Sequence, residues 1–296
     1  MSMVYKSKSV ILAAAIFFTF VFIIVLYSNT TSYRISPSAI QRFSNKNLNQ
    51  TSPQLPRVLC LILTNPKYFP TRVVAVNKTW APRCDGYYFI SEPSADKDPN
   101  SAEVEISKKL PIAPIKNITA GYEHLTQKSV LAFLFAYEHH FNDFDWFIKA
   151  DDDTYLFVDN LRTFLSDKNS SDPVTFGYNF KVIVSKGYHS GGGSYVLSRE
   201  SLRRFYEAHQ DPKSDCRKDG GSEDVEVAKC LRTKGVYPGR SLDAQNRELF
   251  HPLSFYDHFH GNFPDWLRQY AENSLRTVSD LLQMKCSTDF ILFVEL

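Results

Sequence analysis

The chain has 296 residues, room for one large or two small domains. Its 34 Lys and Arg nearly balance 32 Asp and Glu, which argues against a nucleic-acid-binding surface. A hydrophobic content of 43% with 22% charged residues is that of a globular protein, not a disordered chain. The aromatic content of 14% serves a core first and sugar-stacking faces second.

Ser9 to Tyr27 reads SVILAAAIFFTFVFIIVLY, without a charge. At about 1.5 Å per residue this run nearly spans a hydrocarbon layer of about 30 Å. Lys6 and Lys8 precede it, and the next basic residue is Arg34. The distribution predicts a cytosolic tail over residues 1–8, a signal anchor over 9–27 and a lumenal remainder. A cleaved signal peptide would have a shorter apolar region and small residues at the cut, and VLYSNTT offers no such pattern. Residues 28–56, rich in Ser, Thr, Asn, Gln and Pro, read as a stem. Sequons at Asn29, Asn49, Asn77, Asn117 and Asn169 fit a lumenal chain. The five cysteines form no C-x-x-C pair, which argues against zinc. In an oxidising compartment Cys60–Cys84 and Cys216–Cys230 are plausible near-sequence pairs, with Cys286 left over.

The folded part starts at RVLCLILT, Arg57 to Thr64, a buried strand followed by the turn NPKYFP. Arg72 to Trp80 reads as a helix with Val73, Val76 and Trp80 on one face. Gly86 to Ser91 is a second buried strand, and PIAPIKN continues as loop or strand. Glu123 to Phe141 reads as an amphipathic helix. Asp145 to Ala150 is a third buried strand, and Asp159 is placed to cap a helix through Leu165. SYVLS, ending at Ser198, is a further strand before a helix that Ser198 and Ser201 could open. Ser222 is an N-cap candidate for a helix beginning with Glu223 and Asp224. The His258-x-His260 pair in FYDHFHG reads as an exposed or aromatic-packed loop, not a metal site. Alternation of strands and helices predicts an α/β fold with a mostly parallel sheet, whose ligands bind at the carboxyl ends of the strands.

That arrangement puts Asp151, Asp152 and Asp153 just beyond a central strand. Hard divalent ions take one or two protein carboxylates plus phosphate oxygens, and a D-x-D pair can face a metal–diphosphate from a turn. The competing reading is a solvated acidic turn. The glycines of GYHSGGGSYVLS let backbone approach a polar ligand closely.

The segments VLCLILT, NKTWAPRCD, DWFIKADDDTYLFVDNLRTFL, GYHSGGGSYVLSRESLRRF, SEDVEVAKCL and ELFHPL follow one another from about Val58 to Leu253. In that order they resemble the animal β1,3-glycosyltransferases related to the fringe proteins, and within them the core 1 galactosyltransferase branch. The resemblance implies a GT-A-type fold, a Rossmann-like mixed sheet flanked by helices, forming a lumenal catalytic domain over 57–296. It implies a UDP-galactose donor and Mn²⁺ bound at Asp151 and Asp153. Asp151 and Asp152 would face the nucleotide, with Arg72, Trp80 and Lys128 around it. Gly191 and Gly192 would floor the sugar rings, and Asp224 would be the general base beside Glu223. The implied acceptor is a glycoprotein carrying GalNAc α-linked to Ser or Thr. The implied location is the Golgi membrane, as a single-pass type II protein, with a homodimer and a dedicated chaperone among its partners. In the family a cysteine-rich segment leads to a strand whose histidine adds a metal ligand. MKCSTDFILFVEL echoes only the start of that segment, so the domain is expected to be C-terminally short and the third ligand stays open. Three rival readings are a related β1,3-glycosyltransferase, an inactive relative acting as a folding partner, and an anchored lectin-like binder, which has only the aromatics in its favour. The retained DDD run favours an enzyme.

Overall fold

The computed structural model describes residues 55–94, 98, 101–277 and 291–294. The expected tail and anchor, the stem as far as residue 54, the sequons at Asn29 and Asn49, and Cys286 lie outside these residues. No helix among the described residues is long and apolar enough to cross a membrane.

In chain order the strands are β1 (Val58–Leu63), β2 (Gly86–Ile90), β3 (Trp146–Asp151), β4 (Thr154–Leu156), β5 (Val174–Gly177), β6 (Asn179–Phe180), β7 (Tyr188–His189), β8 (Tyr195–Ser198), β9 (Tyr237–Pro238), β10 (Phe250–His251) and β11 (Leu292–Val294). The main sheet runs β2-β1-β3-β8-β5-β9. The three sequence-predicted strands β1, β2 and β3 are its parallel part, with Leu59 opposite Gly86 and Leu63 opposite Asp151. The expectation of a mostly parallel sheet is corrected beyond β3. Strand β8 enters antiparallel to both β3 and β5, while β9 pairs parallel with β5. Strand β8 follows a turn at Gly191–Ser194, not a helical crossover, so it need not run parallel to its neighbours.

Side chains alternate across a strand, and both faces of β1 are covered. Val58, Cys60 and Ile62 join one core layer with Trp80, Trp146 and Ile148. Leu59, Leu61 and Leu63 join the other with Phe133, Phe147 and Phe205. Each fully buried Leu or Phe contributes about 1.5–3 kcal/mol, so the continuous apolar run of β1 anchors the layers above and below it.

The Arg72–Trp80 helix starts earlier than its periodicity suggests, as a π-type turn over Phe69–Val73 leading into α1 (Val74–Lys78). Ile112, in the PIAPIKN segment after α2 (Ala102–Ser107), bridges to Phe89 at the sheet edge. The helix expected over Glu123–Phe141 is α3 (Leu125–His140), preceded by a 3₁₀ turn over Tyr122–His124. Helix α4 (Val158–Leu165) has Phe157 at its N-cap. Asp159, expected to cap it, lies in the first turn and pairs with Arg83 and Arg162. Ser198 caps α5 (Arg199–Gln210) as expected, accepting from the Ser201 N–H at 3.0 Å. Ser222 occupies the N-cap of α6 (Glu223–Thr233), but its hydroxyl makes no cap bond.

The FYDHFH segment is not a loop but the short helix α7 (Phe255–His260), capped by Ser254 and ended by left-handed Gly261. His258 is buried, its ring 4.5 Å from that of His251, while exposed His260 bonds its own turn through Tyr256. The aromatic packing matches the reading from sequence. Helix α8 (Asp265–Tyr270) follows. Both near-sequence cysteine pairs form disulfides, Cys60–Cys84 and Cys216–Cys230.

Candidate active site

Strands β1 and β3 run parallel, so their carboxyl ends open on the same edge. Thr64 and Asn65 leave β1 there, and Asp152 and Asp153 leave β3. Because β8 is antiparallel to β3, the Gly191–Ser194 turn before it reaches that edge too. Helix α6 brings Glu223 and Asp224 against the turn: the Gly191 N–H donates to Asp224 Oδ2 at 3.0 Å. These pieces enclose a cavity of about 580 Å³.

The structure brings together nine of the ten residues singled out from sequence. Arg72, Lys128, Asp151, Asp152, Asp153, Gly191, Gly192, Glu223 and Asp224 all line the cavity. Trp80 does not. It is 1% exposed in the core, with its indole N–H donating to the Thr154 carbonyl at 2.9 Å. That bond gives its polar atom a partner and leaves the ring to pack, so Trp80 holds β4, just after the carboxylates, from within the core.

Three adjacent carboxylates need positive partners, and two come from the protein. Arg72 Nη1 lies 3.1 Å from both Asp152 and Asp153. Lys149, buried in β3, reaches Asp151 at 2.8 Å and donates to the Gly191 carbonyl at 3.0 Å. Its ammonium also stands 4.0 Å from Glu223. Burial acts against that charge, yet Asp151 and Glu223 together hold the Lys149 pKa above its ordinary value. Thr64 donates to Asp152 at 2.6 Å. Even so, burial pushes the Asp152 carboxyl upward, and burial followed by repulsion from Asp151 and Asp152 does the same to Asp153. The cluster therefore retains an unmet preference for positive charge.

The donor chemistry fits a hard divalent ion. Asp151 and Asp153 each keep about a quarter of the side chain exposed at the cavity. Among the described residues, the metal-capable trio with ligand atoms all within 4.8 Å is His209 with Cys216 and Cys230, whose sulfurs are bonded to each other. The aspartates thus offer an open two-carboxylate set, not a closed cage. Mg²⁺ and Mn²⁺ characteristically use such sets when phosphate oxygens complete the shell.

Lys128, placed at the cavity by its helix, is held by Glu92 at 2.6 Å and the Thr64 carbonyl at 2.7 Å. Asn65 secures the other Glu92 oxygen at 2.6 Å. Glu223 accepts from the Tyr195 hydroxyl at 2.6 Å. Its carboxyl is pushed upward by burial, with Lys149 opposing and Asp224 reinforcing. A Cβ on Gly191 would stand 3.0 Å from Glu223 Oε2, whereas one on Gly192 would meet nothing within 4 Å. The first glycine is needed for close approach, and the second leaves open space above the floor.

Sequence reasoning missed Thr64, Glu92, Lys149 and Tyr195. Only Lys149 left a signal, as the charge interrupting the apolar run of β3. A buried lysine requires carboxylate partners.

The Fringe-like family model matches residues 54–251. Glycoprotein-N-acetylgalactosamine 3-beta-galactosyltransferase 1 of Xenopus laevis is 36% identical over 197 residues, 67% of this chain and 51% of that protein. Chondroitin sulfate synthase 3 of Mus musculus is 28% identical over 186 residues, covering 59% of this chain and 20% of the relative. The Mus musculus beta-1,3-glucosyltransferase is 27% identical over 216 residues, covering 69% and 41%. The chain thus spans about half the length of the Xenopus relative and less of the other two. The matched segment contains every residue lining the cavity, from Leu63 to Asp224, and the chain belongs to the Fringe-like family.

Proposed function

We propose that the protein is a metal-dependent β1,3-galactosyltransferase of GT-A type. It moves galactose from UDP-galactose, with inversion, to O3 of GalNAc α-linked to Ser or Thr of a glycoprotein. One observation carries the reading: a single cavity sets the Asp151–Asp153 carboxylates opposite Asp224 across a glycine turn. The galactosyl donor and GalNAc acceptor are favoured by the likeness to the Xenopus relative.

In this reading Asp151 and Asp153 hold Mn²⁺, which when bound offsets the charge of the departing diphosphate. Arg72, stacked 4.3 Å over Tyr68, fixes Asp152 and Asp153 and adds positive charge to the nucleotide wall. Asp224 is the general base. Its Oδ1 accepts from Val225 N–H at 2.8 Å and its Oδ2 from Gly191 N–H, which fixes the carboxylate at the cavity wall. The acceptor O3 attacks the anomeric carbon, its proton passes to Asp224, and the C1–O bond to UDP breaks on the opposite face. Glu223, buried against Tyr195 and Lys149, braces the base without taking the proton.

The charge-free Ser9–Tyr27 run supports a type II anchor, and the two disulfides suit an oxidising lumen such as the Golgi. The test is product analysis. Protein incubated with UDP-galactose, Mn²⁺ and a GalNAc-α-Thr peptide yields a β1-3-linked disaccharide, with the linkage read by NMR. An α-linked product, or galactose on another hydroxyl, contradicts the proposal. UDP-glucose, offered in parallel, tests the donor suggested by the glucosyltransferase relative.

A further inference from the structure

Tyr122 is 86% exposed, the most exposed large hydrophobic or aromatic side chain among the described residues, yet it lines the cavity. Single exposed rings are ordinary on protein surfaces. This one differs because the chain around it is fixed. Gly121 has φ +125°, a backbone conformation that residues with a side chain rarely adopt, so the turn favours glycine. Tyr122 then opens a 3₁₀ turn that runs directly into α3. Before it, the Thr119 N–H donates to Gln127 Oε1 at 2.7 Å. After it, His124 Nδ1 lies 2.7 Å from Asp219 Oδ2. Asp219 leads through left-handed Gly220 and Gly221 into Glu223 and Asp224. The chain that carries the ring is therefore tied to the segment that leads to Asp224.

The cavity is lined by one other aromatic residue, Tyr68. Lys67 stands 4.7 Å and Arg72 4.3 Å from the centre of that ring. Tyr68 is thus engaged by cations, and Tyr122 is the ring left to receive a neutral ligand. A pyranose presents a face of C–H groups, and a rigid tyrosine supplies contact area at little entropic cost.

We infer that Tyr122 is the stacking face for the acceptor sugar, held in reach of Asp224 by the His124–Asp219 contact. The inference rests on the galactosyltransferase reading and adds a specificity-determining residue to it. The test compares Tyr122→Ala, Tyr122→Phe and Tyr122→Trp with methyl α-GalNAc as acceptor. Tyr122→Ala raises the acceptor KM about tenfold, while Phe and Trp keep it within about threefold. In all three variants kcat and the KM for UDP-galactose stay within about twofold of wild type. Saturation-transfer NMR of methyl α-GalNAc with UDP-loaded protein reads the same contact without catalysis. Loss of that signal in Tyr122→Ala alone supports the inference even where transfer fails. A wild type that binds the glycoside but transfers no galactose contradicts only the proposed reaction. Retained binding in Tyr122→Ala, a KM change confined to UDP-galactose, or an effect seen with glycopeptide but not methyl glycoside overturns the role of Tyr122. A wild type that does not bind α-GalNAc overturns both.

Discussion

Lys149 shows how one side chain can join separate parts of a site. It interrupts the apolar part of β3 and neutralises Asp151 at the strand's end while standing beside Glu223. Removing one partner of a buried ion pair leaves the other uncompensated, at a cost of about 3–5 kcal/mol. Lys149→Met is expected to lower stability by about that amount, read as a shift in urea midpoint, and unchanged stability would refute the network. Glu248 provides a separate test by pH. Burial, opposed by Asn273 and reinforced by Glu272, raises its carboxyl to about 7 from an ordinary 4.5. The folded state then binds more protons than the unfolded state between those values. Its contribution is full below about 4.5 and is lost as pH rises through about 7. Glu248→Gln should gain stability relative to wild type between pH 5 and pH 8, by on the order of 2 kcal/mol. Thermal melts at both values check this, and a difference independent of pH would contradict it. Asp151–Asp153 were legible from sequence because motif and local position coincide after a buried strand, whereas Asp224 was singled out only through the family resemblance. The partners of Lys149 were not, since they come from a turn and a helix far along the chain. Trp80 shows the converse: its place near a motif did not distinguish the core from the cavity.

At the scale of elements, the Gly191 turn joins β3, through Lys149, to helix α6, through Asp224. Gly191→Ala pushes against Glu223 and Asp224, whereas Gly192→Ala meets open space. The first should destabilise by about 1–3 kcal/mol, and the second by under about 0.5 kcal/mol. Equal effects in chemical denaturation would show that the turn has slack. Apolar runs identified β1, β2 and β3 because that signal is local; α3 forms where a helix was expected, but it is not the amphipathic helix expected, since it buries Thr126, Lys128 and Ser129 along with Phe133 and Phe135 over much of its circumference. The antiparallel entry of β8 was not visible, since pairing direction depends on partners distant in sequence. The six-residue α7 escaped notice because so short a helix leaves little periodicity, and its aromatics fit a packed loop equally well.

At the scale of the molecule, two packed core layers flank the sheet whose carboxyl edge opens on the cavity. Cys216–Cys230 ties the segment before Glu223 to the interior of α6 across a separation of 14 residues. A loop of that size is worth about 3 kcal/mol in the chain-entropy account. Paired Cys216→Ser and Cys230→Ser substitutions should lower stability by about that much, and little change would show that packing alone secures the segment. The overall α/β class and both disulfides were legible because strand runs and cysteine spacing are strong signals. The mixed strand order emerged only once the chain was folded.

The central claim is that one cavity separates donor binding at Asp153 from proton removal at Asp224. Calorimetric titration of UDP-galactose with Mn²⁺, paired with transfer rates, tests it in Asp153→Asn and Asp224→Asn. Asp224→Asn is expected to bind donor within about threefold of wild type and to transfer at least about 100-fold more slowly. Asp153→Asn is expected to bind donor about tenfold or more weakly and to lose its dependence on Mn²⁺. An Asp224→Asn protein that transfers at the wild-type rate, or an Asp153→Asn protein that binds donor as wild type does, would contradict the account.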